Sequence, residues 1–199
     1  MKGFIYIAGA FHTVNRSKCG RTGAWIDNDP HFWTESEPPT WGICRNDLRR
    51  RADCGDYLFF VLPKHGRHKQ MIFAYMRIAE KITHYAAFYR DDLQSKRMGA
   101  KNPNGNILVN ATGSYNKRFD FGVHEKQFSR IKDEYVIGDP ANSRMLDDRA
   151  IRVLEPHFLS KLSSIIGIIG SNAFDIVSRK GRQLDEYQIK CLLSWLSTA

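Results

Sequence analysis

Tyr57-Leu58-Phe59-Phe60-Val61-Leu62 decides the reading of the fold. It is an unbroken apolar run, rich in aromatic residues, bounded by the turn Cys54-Gly55-Asp56 and by Pro63. A run this short between turn residues reads as a strand. Pro63 to Lys69 is a basic loop, and Gln70-Met71-Ile72-Phe73-Ala74-Tyr75-Met76-Arg77-Ile78 reads as the antiparallel return strand of a long-loop hairpin. Upstream lies Trp41-Gly42-Ile43-Cys44-Arg45-Asn46, leading into Asp47-Leu48-Arg49-Arg50-Arg51, a short basic helix that Asn46 or Asp47 is placed to cap.

Working outward, Met1 to Ala10 briefly imitates a signal peptide, but its apolar part is short and ends at His12 and Arg16. It reads as an opening strand. Asn15 to Arg21 is a polar loop, Asp27-Asn28-Asp29-Pro30 is a turn, and Pro38-Pro39 closes the next segment. Thr83 to Leu93 reads as a helix with the aromatic face Tyr85, Phe88 and Tyr89. Ser95 to Asn106 is a loop, Asn106 to Asn110 a strand, Thr112-Gly113-Ser114 a turn, and Tyr135-Val136-Ile137 a strand broken by Gly138-Asp139-Pro140. Composition then changes. Ile151, Leu154, Phe158, Leu159, Leu162 and Ile166 fall near helical spacing, with Pro156 inside to kink or split the segment. Ser171 to Val177 is a short helix, and Asp185 caps a helix over Glu186 to Leu196. The expectation is a mostly β body over residues 1–146 and a helical C-terminal cap over 147–199, packed on the same domain.

The chain has 199 residues, 30 basic against 21 acidic side chains, and a formal net charge of +9. At 42% hydrophobic and 26% charged residues it is neither a disordered chain nor a membrane bundle. Its longest apolar stretches fall well short of the ~20 residues that span a bilayer. The positive balance favours polyanionic partners. Cys19, Cys44, Cys54 and Cys191 are scattered with no C-x-x-C, which argues against a zinc ribbon and for reduced thiols in a cytoplasmic protein. No nucleotide-loop, G-x-S-x-G or H-E-x-x-H pattern is present, so no cofactor and no metal are expected.

The Trp41 to Asn46 turn is the first feature with chemistry. An indole stacks on a base, Arg45 offers a planar fork to phosphate or a base edge, and Asn46 donates and accepts at once. The plain alternative is that Trp41 plugs a barrel end and Arg45 pairs with an acid. The order of elements here resembles the EVE group of the PUA-like superfamily, in which a Trp-containing turn ending in Arg-Asn precedes a basic helix, a Gly-Asp strand and a return strand. This sequence differs in placing Gly42 directly after Trp41.

Over nearly its full length the chain resembles a bacterial and phage family, the nucleotide-modification-associated domain of the second type. The resembling stretches are Arg21 to Trp33, Lys96-Arg97-Met98-Gly99 with Asn102 to Asn106, and Ser178 to Arg182. The resemblance implies an α+β fold, a PUA-like/EVE-type mostly antiparallel β-barrel with flanking helices, associated with modified DNA bases. Carried over by position, the base pocket takes Ala10, Phe11 and His12 together with Trp41, Arg45 and Asn46, and Trp25 and Trp33 are further cage candidates. Two aromatic faces and an amide would hold a flipped base. Ordinary core is the alternative for Trp25 and Trp33.

Positive charge is patchy. Arg49, Arg50 and Arg51, then Lys64, Arg67 and Lys69, then Lys96 and Arg97 (with Lys101), then Arg179, Lys180 and Arg182, are the phosphate-binding candidates. Each cluster is equally readable as a solvated face. Asp27, Asn28, Asp29 and His31 have hard-metal chemistry but read better as a turn into Pro30. Asp139 and His12 are the acid–base candidates, with a plain turn as the alternative for Asp139. Cys44 with His12 is the one thiol–imidazole pair this fold would bring close. The expectation is a nucleic-acid-binding protein, DNA rather than RNA, that recognises a modified or flipped base within a bacterial or phage base-modification or defence system. The alternative is an enzyme acting on a base or nucleotide in the same pocket. A protein partner on the C-terminal helices is a third reading, and no membrane is expected.

Overall fold

The computed structural model describes residues 1–8, 29–32, 37–62, 70–100 and 105–199. Strands run over Gly3–Ile7 (β1), Thr40–Trp41 (β2), Tyr57–Val61 (β3), Ile72–Ile82 (β4), Tyr135–Gly138 (β5), Arg144–Met145 (β6) and Arg182–Leu184 (β7). Helices cover Asn46–Arg51 (α1), His84–Phe88 (α2), Lys117–Asp120 (α3), Phe128–Ile131 (α4), Asp148–Leu154 (α5), Phe158–Ile166 (α6), Ala173–Val177 (α7) and Glu186–Leu196 (α8). The described residues fall into two compact units. The first takes 1–8, 55–62, 70–77 and 143–199, and the second takes 29–32, 37–54, 78–100 and 105–142.

In the first unit β3 is central and its whole length is buried, as its unbroken apolar run requires. It pairs antiparallel with β4 (Phe60↔Ala74) and parallel with β1 (Gly3↔Tyr57 to Ile7↔Val61). β7 pairs antiparallel with β1, and β6 with β4. On one face Ile5, Phe59, Val61 and Ile72 meet Leu154, Phe158, Leu162 and Ile166, with Ile189, Leu192 and Leu196 of α8 in the same cluster. The helices therefore share one core with β1 and β3. Pro156 splits the helical segment as expected: α5 ends at Leu154, a 3₁₀ turn spans Glu155–His157, and α6 begins at Phe158. Capping boxes start α7 (Asn172 with Asp175) and α8 (Asp185 with Gln188).

In the second unit the latter part of β4 pairs antiparallel with β5 (Ile82↔Tyr135), and β5 with β2 (Thr40↔Ile137). His31 and Thr40 exchange backbone hydrogen bonds of 2.8 and 3.0 Å, which brings the segment around residue 30 beside β2. Two apolar clusters back this sheet, one of Ala87, Leu93, Ile107, Val109, Tyr135 and Ile137, the other of Ile43, Met98, Leu108 and Ile131.

The α+β class and the mostly antiparallel pairing stand. Among the described residues the strands follow one open order, β2-β5-β4-β3-β1-β7, with β6 paired to β4. Helix α1 is capped by Arg45 in the left-handed region, φ 51°, with no side-chain cap, in place of Asn46 or Asp47. The helix expected over Thr83–Leu93 stops at Phe88. Arg90 is extended (φ −75°, ψ 126°) and its guanidinium holds both Asp92 and Glu80, and a 3₁₀ segment, Asp91–Lys96, follows. Asn106 to Asn110 forms isolated bridges, Arg97↔Ile107 and Val109↔Tyr115, rather than a strand. No helix among the described residues is long and apolar enough to cross a membrane.

Leu162 is fully buried beneath the first sheet, whereas Val153 on α5 is 52% exposed. Leu162→Ala is expected to lower unfolding free energy by ~2–5 kcal/mol, and Val153→Ala by well under ~1 kcal/mol, in chemical denaturation.

Candidate functional site

The Trp41 to Asn46 turn is held from within. Because His31 pairs with Thr40, Asp29 lies opposite the turn. Its Oδ1 accepts the Gly42 amide at 2.7 Å, and its Oδ2 accepts the amides of Ile43 (2.9 Å) and Cys44. Asn106 Nδ2 adds a further bond to Oδ1 at 3.2 Å, and the Asn106 carbonyl accepts from Tyr135 Oη (2.6 Å) and Thr40 Oγ1 (3.2 Å). His84 completes the knot. Its Nδ1 accepts the Leu108 amide at 3.1 Å, so its Nε2 carries the proton and donates to the Gly42 carbonyl at 2.9 Å. A Cβ on Gly42 would lie 2.5 Å from the Tyr135 ring, so only glycine fits there. Arg49 is completely buried, donates Nε to the Glu134 carbonyl (2.7 Å) and Nη1 to the Cys44 carbonyl, and sits 5.7 Å from the Trp41 ring centre.

Burial sets the electrostatics of this knot. It raises the Asp29 pKa against the lowering influence of Arg49 and the three amides. It depresses His84 to about 3 and pushes the Tyr135 phenol well above its ordinary value, so the imidazole stays neutral and the phenol stays a donor.

The sequence candidates separate on exposure. Trp41 is 0% exposed, so it fills the interior and offers no ring face to a ligand in this arrangement. Arg45 makes a two-pronged ion pair with Asp47 at 2.9 and 2.7 Å, and Asn46 opens α1 half-buried. The Arg45–Asp47 pair matches the plain alternative for this turn, and Trp41 is interior, though no barrel end is shown for it to plug. Arg49 is corrected from a phosphate contact to an interior donor, because its guanidinium serves backbone carbonyls out of solvent reach. Lys96 is corrected likewise. It is fully buried, with Nζ 2.9 Å from His31 Nδ1 and 3.7 Å from Glu37, and burial lowers its pKa to about 8.

Arg50 and Arg51 are exposed, and Arg50 Nη2 donates to the Arg130 carbonyl at 3.3 Å, which brings a second exposed arginine alongside. Arg179 and Lys180 are exposed in the turn before β7, while Arg182 Nε is bonded to the Ile176 carbonyl. Asp139 caps its own turn, accepting from the Ala141 amide and Asn142 Nδ2. Asp29 spends both oxygens on amides, and among the described residues no cluster of three or more His, Cys, Asp or Glu is placed to hold a metal. His12, Trp25, Trp33, Lys64, Arg67 and Lys69, with Ala10, Phe11, Cys19, Asp27, Asn28 and Lys101, lie outside the described residues.

In the second unit a pair of accessible aromatic rings lies on α2 and at its C-terminal cap. Tyr85 and Tyr89 are 50% and 56% exposed and meet edge to face, centroids 5.3 Å apart at 78°. Thr83 caps the helix through the Ala86 amide, and Tyr89 Oη is anchored on the Ala111 carbonyl at 2.5 Å. Gly113, at φ +79°, packs under the Tyr85 ring, where a Cβ would come within 2.8 Å. Phe88 backs Tyr89 from the half-buried side, and the Arg97 guanidinium lies 4.7 Å from the Phe88 ring centre. The pair is thus a rigid platform beside a cation. The sequence showed the aromatic face of this segment, but not that two of its rings face solvent.

No protein-family model matches the chain, and no curated protein matches it. The likeness to the nucleotide-modification-associated family rests on the quoted motifs.

A histidine whose pKa is lower folded than unfolded contributes stability that is complete above the unfolded value and lost as pH falls below it. For His84 the window runs from 6.5 down to about 3. The wild-type unfolding free energy is expected to fall on acidification from pH 7 to 5, with His84 supplying up to about 1.4 kcal/mol per pH unit. Urea titrations across that range should show His84→Gln with a shallower slope by about one proton, His31 accounting for part of what remains.

Proposed function

We propose that this protein binds nucleic acid through bases that have left the helical stack, with Tyr85 and Tyr89 as the stacking surface. The observation that carries this reading is the exposed, braced tyrosine pair beside Arg97. Each stacked base gains roughly 1–3 kcal/mol on such a ring, with little demand on base identity. The net charge of +9 and the neighbouring exposed guanidinium groups of Arg50 and Arg130 suit the phosphates. Buried Arg49 and Lys96 take no part.

The finer reading adds recognition of a modified base in DNA, within a bacterial or phage modification system. It draws on the motif resemblance, with His12, Trp25 and Trp33 as the cage. Trp41 and Arg45 would take no direct part, since Trp41 is interior and Arg45 is paired with Asp47.

A second reading, catalysis on a base or nucleotide, has one observation behind it. Asp120, 6% exposed, holds His124 Nδ1 at 2.8 Å and also accepts from Tyr115 Oη, the orientation of a carboxylate-steered general base.

The test is titration of single-stranded and duplex oligonucleotides, with and without modified bases. Tyr85→Ala combined with Tyr89→Ala is expected to weaken single-strand binding about tenfold or more, and Arg50→Ala to reduce the salt slope by about one. Unchanged binding by the double tyrosine variant would overturn the platform. A mass change in the base that vanishes with His124→Gln would favour catalysis.

A further inference from the structure

The helical face of the first unit carries a groove apart from the tyrosine platform. It is an open surface depression of about 470 Å3, lined by Lys161 of α6 and by Tyr187, Lys190, Cys191, Ser194 and Trp195 of α8. The α8 residues recur at spacings of three and four, so they form one stripe along the helix. A second stripe, Ile189, Leu192 and Leu196, faces the core and holds α8 in place. The groove side gathers two aromatic rings, two ammonium groups, a hydroxyl and a thiol, and of these Trp195 also packs on the core.

The parts are pre-set. The Trp195 indole lies nearly parallel to the fully buried Phe158 ring, centroids 6.3 Å apart at 19°, which fixes the plane of its ring. Tyr187, 73% exposed, stands two turns away, about 12 Å along the helix axis. Lys161 has no carboxylate partner among the described residues. Lys190 pairs with Glu186 at 2.7 Å, but both side chains are more than half exposed, and such a pair yields readily to a stronger anion. The volume falls within the roughly 300–1,000 Å3 range of small-molecule sites. A fixed indole demands a flat ring, and the unpaired ammonium demands an anion on the same molecule.

We propose that this groove binds a mononucleotide, with the base on Trp195 and the phosphate between Lys161 and Lys190. Ser194 is placed for the sugar hydroxyls. The site lies in a different unit from Tyr85 and Tyr89 and stands or falls without them.

Cys191 reports on the groove directly. It lines it and is half-buried, while Cys54 is exposed and outside it. The full chain is alkylated with iodoacetamide and the rate at each cysteine is followed by peptide mass spectrometry. Millimolar adenosine 5′-monophosphate is expected to slow Cys191 several-fold and leave Cys54 unchanged. Adenosine alone and inorganic phosphate alone should protect much less. In Lys161→Ala, a surface substitution, the protection should be lost while the unprotected rate at Cys191 stays near wild type. The proposal is overturned if the nucleotide gives no protection, if inorganic phosphate protects as well, or if Lys161→Ala is protected like wild type. Tyr85→Ala with Tyr89→Ala should leave the protection intact, so failure here and failure of the nucleic-acid reading are told apart.

Discussion

One buried carboxylate holds the second unit together. Asp29 takes the amides of three successive residues, Gly42, Ile43 and Cys44, and a fourth bond from Asn106. The turn carries these amides into the interior, where each would cost about 1–3 kcal/mol if left without an acceptor. β2 contributes only Thr40 and Trp41 to the sheet, too little pairing to hold the turn by itself. The Asp29 contact therefore decides that Trp41 points inward, and the inward Trp41 in turn gives the Arg49 guanidinium an aromatic neighbour. His84 and Tyr135 close the same network from α2 and β5, so the helix that carries the exposed tyrosines is tied to the turn through the residue that opens it.

What was legible in the sequence was what local chemistry decides. β3 is apolar throughout because both its faces are covered, and a run of that kind between Gly55 and Pro63 has few other readings. Pro156 breaks a helix wherever it sits in one, and Asp185 with Gln188 caps whatever follows. The parallel pairing of β1 with β3 was not legible, since it joins residues more than fifty positions apart and leaves no periodicity of its own. Thr83 to Leu93 was over-read as one helix. Its aromatic spacing is helical, but Arg90 gains more from Asp92 and Glu80 in an extended backbone than from one more helical turn.

The candidate site was misread where charge was equated with exposure. Arg49, Arg50 and Arg51 look equivalent in a row. On a six-residue helix, however, Leu48 and Arg49 face the interior while Arg50 and Arg51 face water. A guanidinium has enough donors to be buried on carbonyls, and the Cys44 and Glu134 carbonyls are there to receive it. Lys96 follows the same logic with fewer donors: it needs Glu37 nearby, and burial still weakens its hold on the proton. Neither outcome is visible in composition, because one of the two carbonyls that hold Arg49 lies 85 residues away and the carboxylate near Lys96 lies well upstream.

Among the described residues guanidinium groups lie beside aromatic rings at Trp41 with Arg49, Phe88 with Arg97 and Phe119 with Arg118, and solvent access sets the first two apart. Between Trp41 and Arg49 the contact is sealed from solvent, and the amide network around Asp29 holds the turn in place. Around Phe88 and Arg97 the same chemistry lies at the surface, with Tyr85 and Tyr89 beside it and half of each ring open to water. A ligand base can displace only the water on an open ring; it cannot displace the amide network that closes over Trp41. The proposed stacking therefore falls to the tyrosines, and the Trp41 to Asn46 turn supplies stiffness to the unit that carries them.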